Sequence, residues 1–202
     1  MTRPGRSPIT DTEPRERADA ARNRRAILHA TEELLSLHGF EHVSLDKVAA
    51  AAGVGKGTVF RRFGNRTGLM RALLEDRALQ LGEAIAATPA PLGTDAPADV
   101  RLAAFLEALA DLAARNIVLL AAHDRACAQD KYADPTYLRW HAHVVELLAV
   151  SHPDSDADFV AHTLLGMFDA DLVRHVVERG GPRRLDASVR SLCTTLLGAR
   201  TR

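Results

Sequence analysis

The sequence predicts an all-α protein of about nine helices in two parts, and three observations carry that prediction. Apolar residues recur at helical spacing from Ala18 onward, and no segment alternates as a strand would. Residues 44–63 read as two short helices joined at Gly53, the second of them basic. Residues 88–97, Thr-Pro-Ala-Pro-Leu-Gly-Thr-Asp-Ala-Pro, interrupt all regular structure and divide the amino-terminal helices from the carboxy-terminal ones. The expected organisation is a disordered tail over 1–17, a three-helix helix-turn-helix domain over 18–66 and a larger helical domain over 67–202.

Residues 1–17 are rich in Pro, Arg, Thr and Glu and hold almost nothing to bury, hence the tail. The first helix spans about 18–38, with Ile27, Leu28, Leu34 and Leu35 inward and Gly39 as its stop. Phe40 and Val43 come next and are expected beneath the three-helix unit. Ser44 is a suitable N-cap for the second helix, whose Leu45, Val48, Ala49 and Ala52 share one face. Gly53 ends it where a turn needs positive φ. The third helix carries Val59, Phe60 and Phe63 on its apolar side and Lys56, Thr58, Arg61 and Arg62 elsewhere. Gly55 and Gly57 cost that helix roughly 1 kcal/mol each against alanine. A helix whose N-terminal end must approach base edges in a major groove has a reason to bear this cost. The segment therefore reads as a helix-turn-helix that binds double-stranded DNA.

Charge distribution agrees. The chain holds 26 basic and 26 acidic residues. Residues 20–71 hold nine of the bases (Arg22, Arg24, Arg25, Lys47, Lys56, Arg61, Arg62, Arg66, Arg71) against four acids (Glu32, Glu33, Glu41, Asp46). Residues 88–202 are acidic by about three charges. A basic amino-terminal unit on an acidic remainder suits a regulator whose larger part does not touch DNA.

Gly39-Phe40, Ser44, Val48-Ala49, Ala52 to Phe60, Phe63 and Leu69 resemble the DNA-binding domain of the TetR (tetracycline-repressor) family over about residues 20–75. The resemblance implies a ligand-responsive transcriptional regulator, most often a repressor, that binds a palindromic operator as a homodimer and is released by a small-molecule effector. Carried residue by residue, it implies DNA contacts at Arg24, Arg25, Ser44, Gly55, Lys56, Gly57, Thr58, Phe60, Arg61, Arg62, Asn65 and Arg66. Lys56, Gly57 and Thr58 stand nearest the bases. Two positions depart from the pattern: Gly55 is commonly Ser and Phe60 commonly Tyr, so two hydroxyls that would reach phosphate are absent.

Beyond residue 97 the helices are expected at about 98–115, 116–128, from Pro135 to the loop at 151–156, 156–179 and 186–197, the last two separated by Gly180-Gly181-Pro182. Phe159, Leu164, Leu172, Val176, Val189, Leu192 and Leu196 form broad apolar stripes. They serve either a two-fold dimer bundle or the subunit's own core. Phe105, Leu109, Tyr137, Trp140, His141, Met167 and Phe168 are read as either an effector pocket or ordinary core. The chain contains no CxxC pair, His141 and His143 point to different faces of a helix, and both cysteines lie in apolar patterns. No metal site, cofactor or redox role is expected. No nucleophile elbow or phosphate-binding glycine loop appears, so no enzymatic activity is expected. With no apolar run of membrane-spanning length and no signal peptide, a cytoplasmic protein without membrane contact is expected. Two other readings remain open: an architectural DNA binder without effector, and a redox- or metal-sensing regulator.

Overall fold

The computed structural model describes residues 12–87, 93 and 95–198. Among these residues the fold is all-helical, without strands. The chain divides into two compact units between Leu69 and Met70.

In the first unit, helix α1 (Thr12–His38) is followed by a 3-10 turn at Phe40–His42, then α2 (Leu45–Ala51) and α3 (Lys56–Phe63). The start of α4 (Arg66–Ala87) completes the unit. α1 begins earlier than its apolar period suggests. Residues 12–17, expected in the tail, are helical, whereas 1–11 lie outside the described residues. Ile27, Leu28, Val43, Val48, Ala49, Val59, Phe63 and Leu69 are buried together, each large side chain contributing about 1.5–3 kcal/mol. Gly39 (φ 75°) and Gly53 (φ 65°) adopt the left-handed geometry that their turns demand. Ser44 Oγ accepts from the Lys47 amide at 3.3 Å, so the N-cap of α2 is in place.

The second unit runs through the remainder of α4, then α5 (Ala98–Arg115), α6 (Ile117–Ala126), a 3-10 turn at Lys131–Ala133, α7 (Pro135–Ser151), α8 (Ala157–Gly166) and α9 (Ala170–Leu197). Its core is built from Leu102, Phe105, Leu106 and Leu109 of α5 against α7, α8 and α9. α5 packs most extensively on α9. Aspartates open three of these helices: Asp134 caps α7, Asp156 caps α8 and Asp169 caps α9.

One sequence expectation is corrected here. The continuous helix expected over 156–179 is broken after Gly166. Asp169 accepts from the Asp171 and Leu172 amides at 3.0 and 3.3 Å and starts a new helix, so it is a cap rather than a mid-helix acid. The break expected at Gly180-Gly181-Pro182 is present: Gly181 (φ 73°, ψ 175°) is non-helical and divides the span of α9 into two helical segments, the second opened by Pro182, whose missing amide costs least at a helix start.

Candidate nucleic-acid interface and effector cavity

The turn between α2 and α3 is closed by backbone bonds from Gly53 to Ala50 O (3.3 Å) and from Val54 to Ala49 O (3.0 Å). α3 therefore leaves α2 at a fixed angle, with Val59 and Phe63 inward and Lys56, Gly57, Arg61 and Arg62 exposed. Gly55 is the N-cap at φ −66°, a conformation open to any residue, and a Cβ on Gly57 would meet nothing within 4 Å. Nothing inside the protein requires either glycine. Lys56 Nζ lies 2.8 Å from Asp46 Oδ1 on α2, an exposed pair that steers the ammonium at little energetic gain.

The expected phosphate-facing residues divide into two groups. Arg25 and Arg61 are exposed. Arg24, Arg62 and Arg66 also bind the unit itself: Arg24 lies 6.0 Å from the centre of the Phe63 ring and Arg62 donates to Ala20 O at 2.9 Å. The Arg66 guanidinium stacks 3.6 Å above Phe40, donates to Phe40 O and lies 3.8 Å from Glu41. Ser44 caps α2, and Asn65 Oδ1 caps α4 by accepting from the Gly68 amide at 2.9 Å. Thr58, Arg61 and Arg62 border a groove with Asp19, Ala20 and Asn23 of α1.

Phe60 is a correction. Its type and position place it on the apolar face of α3, yet it is 62 % exposed. Val59 and Phe63, four apart, fill the inward stripe, and Phe60 projects from the side of α3.

In the second unit a cavity of about 290 Å³ opens between α4, α6, α7 and α8. Of the residues expected to line a pocket, Tyr137, Trp140 and Phe168 do so. Phe105 and Trp140 line a second cavity of about 480 Å³ beside Arg101 and His143. Leu109 is core, Met167 packs against that core, and His141 turns toward Asp158 at 3.5 Å instead. The unforeseen walls come from α4 and α6: Leu74, Glu75, Leu120, His123, Asp124 and Cys127. Only tertiary packing brings these against α7.

Among the described residues, two groups of side chains of metal-ligating type come together. His123 lies in the last turn of α6 and Cys127 is the C-cap that follows it, and Asp134 returns to them across the following loop. Their ligating atoms all lie within 4.8 Å of one another. His141, Asp158 and His162 form a second such group. Burial tends to lower the His123 pKa, but the neighbouring Asp124 carboxylate and the charges of Asp134 and Glu75 leave it raised. Burial, with the charge of Asp134, pushes the Cys127 thiol up to about 11; burial does the same for Cys193. Neither is the low-pKa thiol of a redox sensor. Cys193 is core as expected, but Cys127 is half-buried and lines the cavity.

Of the stripe residues, Leu164 and Val189 are buried in the subunit's own core and leave the interface set. Val176 is half-buried against that core. Phe159, Leu172, Leu192 and Leu196 remain exposed on α8 and α9.

Residues 27–73 match the family model described as "Bacterial regulatory proteins, tetR family". This amino-terminal segment is a tetR-family domain. The fold of the chain is likewise shared with regulators of that kind. A TetR-family transcriptional regulator from Pectobacterium atrosepticum is 20 % identical, with a TM-score of 0.66 over 90 % of this chain and 96 % of its own. A TetR/AcrR-family regulator from Thermobifida fusca is 20 % identical, with a TM-score of 0.60 over 89 % and 98 %. A Saccharomonospora viridis protein solved in complex with choline is 18 % identical, with a TM-score of 0.61 over 88 % and 98 %. Each of these three neighbours is described as a transcriptional regulator, that from Saccharomonospora viridis as "a putative transcriptional regulator". The comparison with curated proteins found no match. No described helix is long and apolar enough to cross a membrane.

Proposed function

We propose that the protein is a ligand-responsive transcriptional regulator, acting as a repressor, that binds a palindromic operator as a homodimer. The observation that carries this reading is the exposed amino-terminal end of α3. There Lys56, Gly57 and Thr58 are presented by a rigid glycine turn inside a tetR-family domain, and two glycines have no internal purpose. Lys56 and Thr58 read base edges, the glycines let the backbone approach, and Arg25, Arg61 and Arg62 meet phosphates. Selection of bound sequences from random duplex DNA by the purified protein tests the reading. A palindrome is expected; indifference to every duplex at modest salt would overturn it. An architectural DNA binder would return no preferred sequence.

Substitution separates the two kinds of contact. Arg61→Ala is expected to weaken all sequences alike and to flatten the salt dependence of log K by roughly one unit. Lys56→Ala should change the preferred sequence, with about 1–3 kcal/mol of discrimination lost at one position. Both are read by binding titrations on operator and scrambled duplexes at several salt concentrations. Equal loss on both duplexes for Lys56→Ala would count against a base contact.

Dimerisation uses the exposed apolar residues of α8 and α9, because two half-sites need two recognition helices at a defined spacing. Leu196→Glu is expected to raise the dimer dissociation constant at least about tenfold, or 1.4 kcal/mol, in analytical ultracentrifugation. The effector occupies the cavity between α4, α6, α7 and α8, whose aromatic wall of Tyr137, Trp140 and Phe168 suits a small, mainly apolar molecule. By linkage, an effector that lowers operator affinity is itself bound more weakly on the operator, by the same factor.

A further inference from the structure

His123, Cys127 and Asp134 bring their ligating atoms within 4.8 Å of one another beside the cavity. His123 Nε2 lies 3.9 Å from Cys127 Sγ and 3.5 Å from Asp134 Oδ1, and Sγ lies 3.7 Å from Asp134 Oδ2. One imidazole nitrogen thus faces both a thiol and a carboxylate. Ligands at about 2.0–2.3 Å from a tetrahedral ion stand about 3.3–3.6 Å apart along each edge, so these separations need only slight contraction around one. The other ring nitrogen, Nδ1, faces the Asp124 carboxylate at 3.9 Å. A carboxylate behind a ligating histidine fixes its orientation and raises its basicity. Asp134 is itself immobilised: its Oδ1 accepts from the Thr136 and Tyr137 amides, both at 2.9 Å, which leaves Oδ2 directed at Cys127. His123 and Cys127 both line the cavity, so a fourth position would open into it.

We propose that His123, Cys127 and Asp134 bind a divalent ion of the zinc class, with three protein ligands and a fourth position open to the effector cavity. A thiolate, an imidazole and a carboxylate together select zinc or cobalt over magnesium or calcium, which prefer all-oxygen shells. The thiol proton leaves to solvent as the sulfur–metal bond forms. The site stands independently of operator binding, and its test involves no DNA.

Cobalt reports such a site through its spectrum. Full-length protein, freed of metal by chelator, is titrated with Co²⁺. Binding of about one equivalent at a three-ligand site with sulfur is expected to give a thiolate-to-cobalt band in the near ultraviolet and tetrahedral bands in the visible, reversed by Zn²⁺. Cys127→Ser should abolish the near-ultraviolet band. Asp124→Asn, which retains an oxygen to accept the Ala170 amide at 2.9 Å, should keep the band while weakening affinity about 10–100-fold. The His141, Asp158 and His162 group contains no sulfur and cannot supply the near-ultraviolet band. Helical circular dichroism accompanies each variant; should Cys127→Ser lose helicity, Cys127→Ala replaces it. Absence of the band in the folded wild-type protein, or its survival at full strength in the folded cysteine variant, would overturn the assignment.

Discussion

Replacing Gly68 by alanine is expected to destabilise the amino-terminal unit by about 3 kcal/mol, among the largest single-residue effects in the chain. A Cβ there would stand 2.1 Å from the Phe63 carbonyl oxygen and 3.3 Å from its carbon. Both are backbone atoms, so α4 must move away from the end of α3, and the Asn65 cap on the Gly68 amide is disturbed with it. The thermal midpoint should fall by roughly 6–12 °C, as calorimetry would record. Operator binding should weaken in the same variant, because the frame that holds α3 is loosened. Gly57→Ala is the control. Its Cβ meets only open space, so stability should be unchanged or raised by up to about 1 kcal/mol while operator affinity falls. An unchanged midpoint for Gly68→Ala would show that the close approach of α3 and α4 is not needed.

Arg66→Ala is expected to lose about 2–4 kcal/mol. The charge-assisted bond to Phe40 O contributes about 1.5–3 kcal/mol and the stacking on Phe40 about 0.5–2. Arg66 is mostly shielded from solvent, its side chain 31 % exposed, so these terms are only partly screened. Arg66→Lys discriminates between the roles open to this residue. Lysine keeps the charge that a phosphate contact requires but has no planar group to stack and donate as the guanidinium does. A fall of about 1–2 kcal/mol for Arg66→Lys in chemical denaturation is therefore expected. Full stability in that variant would leave phosphate binding as the sole role.

Periodicity and end signals make much of this molecule legible. Helical spacing together with Ser44, Gly39 and Gly53 defines α2, its turn and the start of α3, because caps and positive-φ turns are local chemistry that a few neighbouring residues decide. The exposed, basic end of α3 is readable for the same reason, and the family resemblance adds the residue roles. Reading fails where the outcome depends on non-local packing. Phe60 looks inward by type, but the narrow stripe of α3 is already filled by Val59 and Phe63. Leu164 and Val189 cannot be told from Leu172 and Leu196 until α5 covers one side of α9 and leaves the other bare. A helix stripe shows that a face is apolar but not which neighbour it meets. The sequence presents Arg66 as a charge, whereas its place over Phe40 results from how the start of α4 docks beside the turn after α1. The cavity depends most on tertiary structure. Its aromatic wall lies largely within one expected helix, but Glu75, His123, Cys127 and Asp134 come from three separate segments. Their meeting reflects chain reversal and burial, and residue spacing along a single chain carries no record of it.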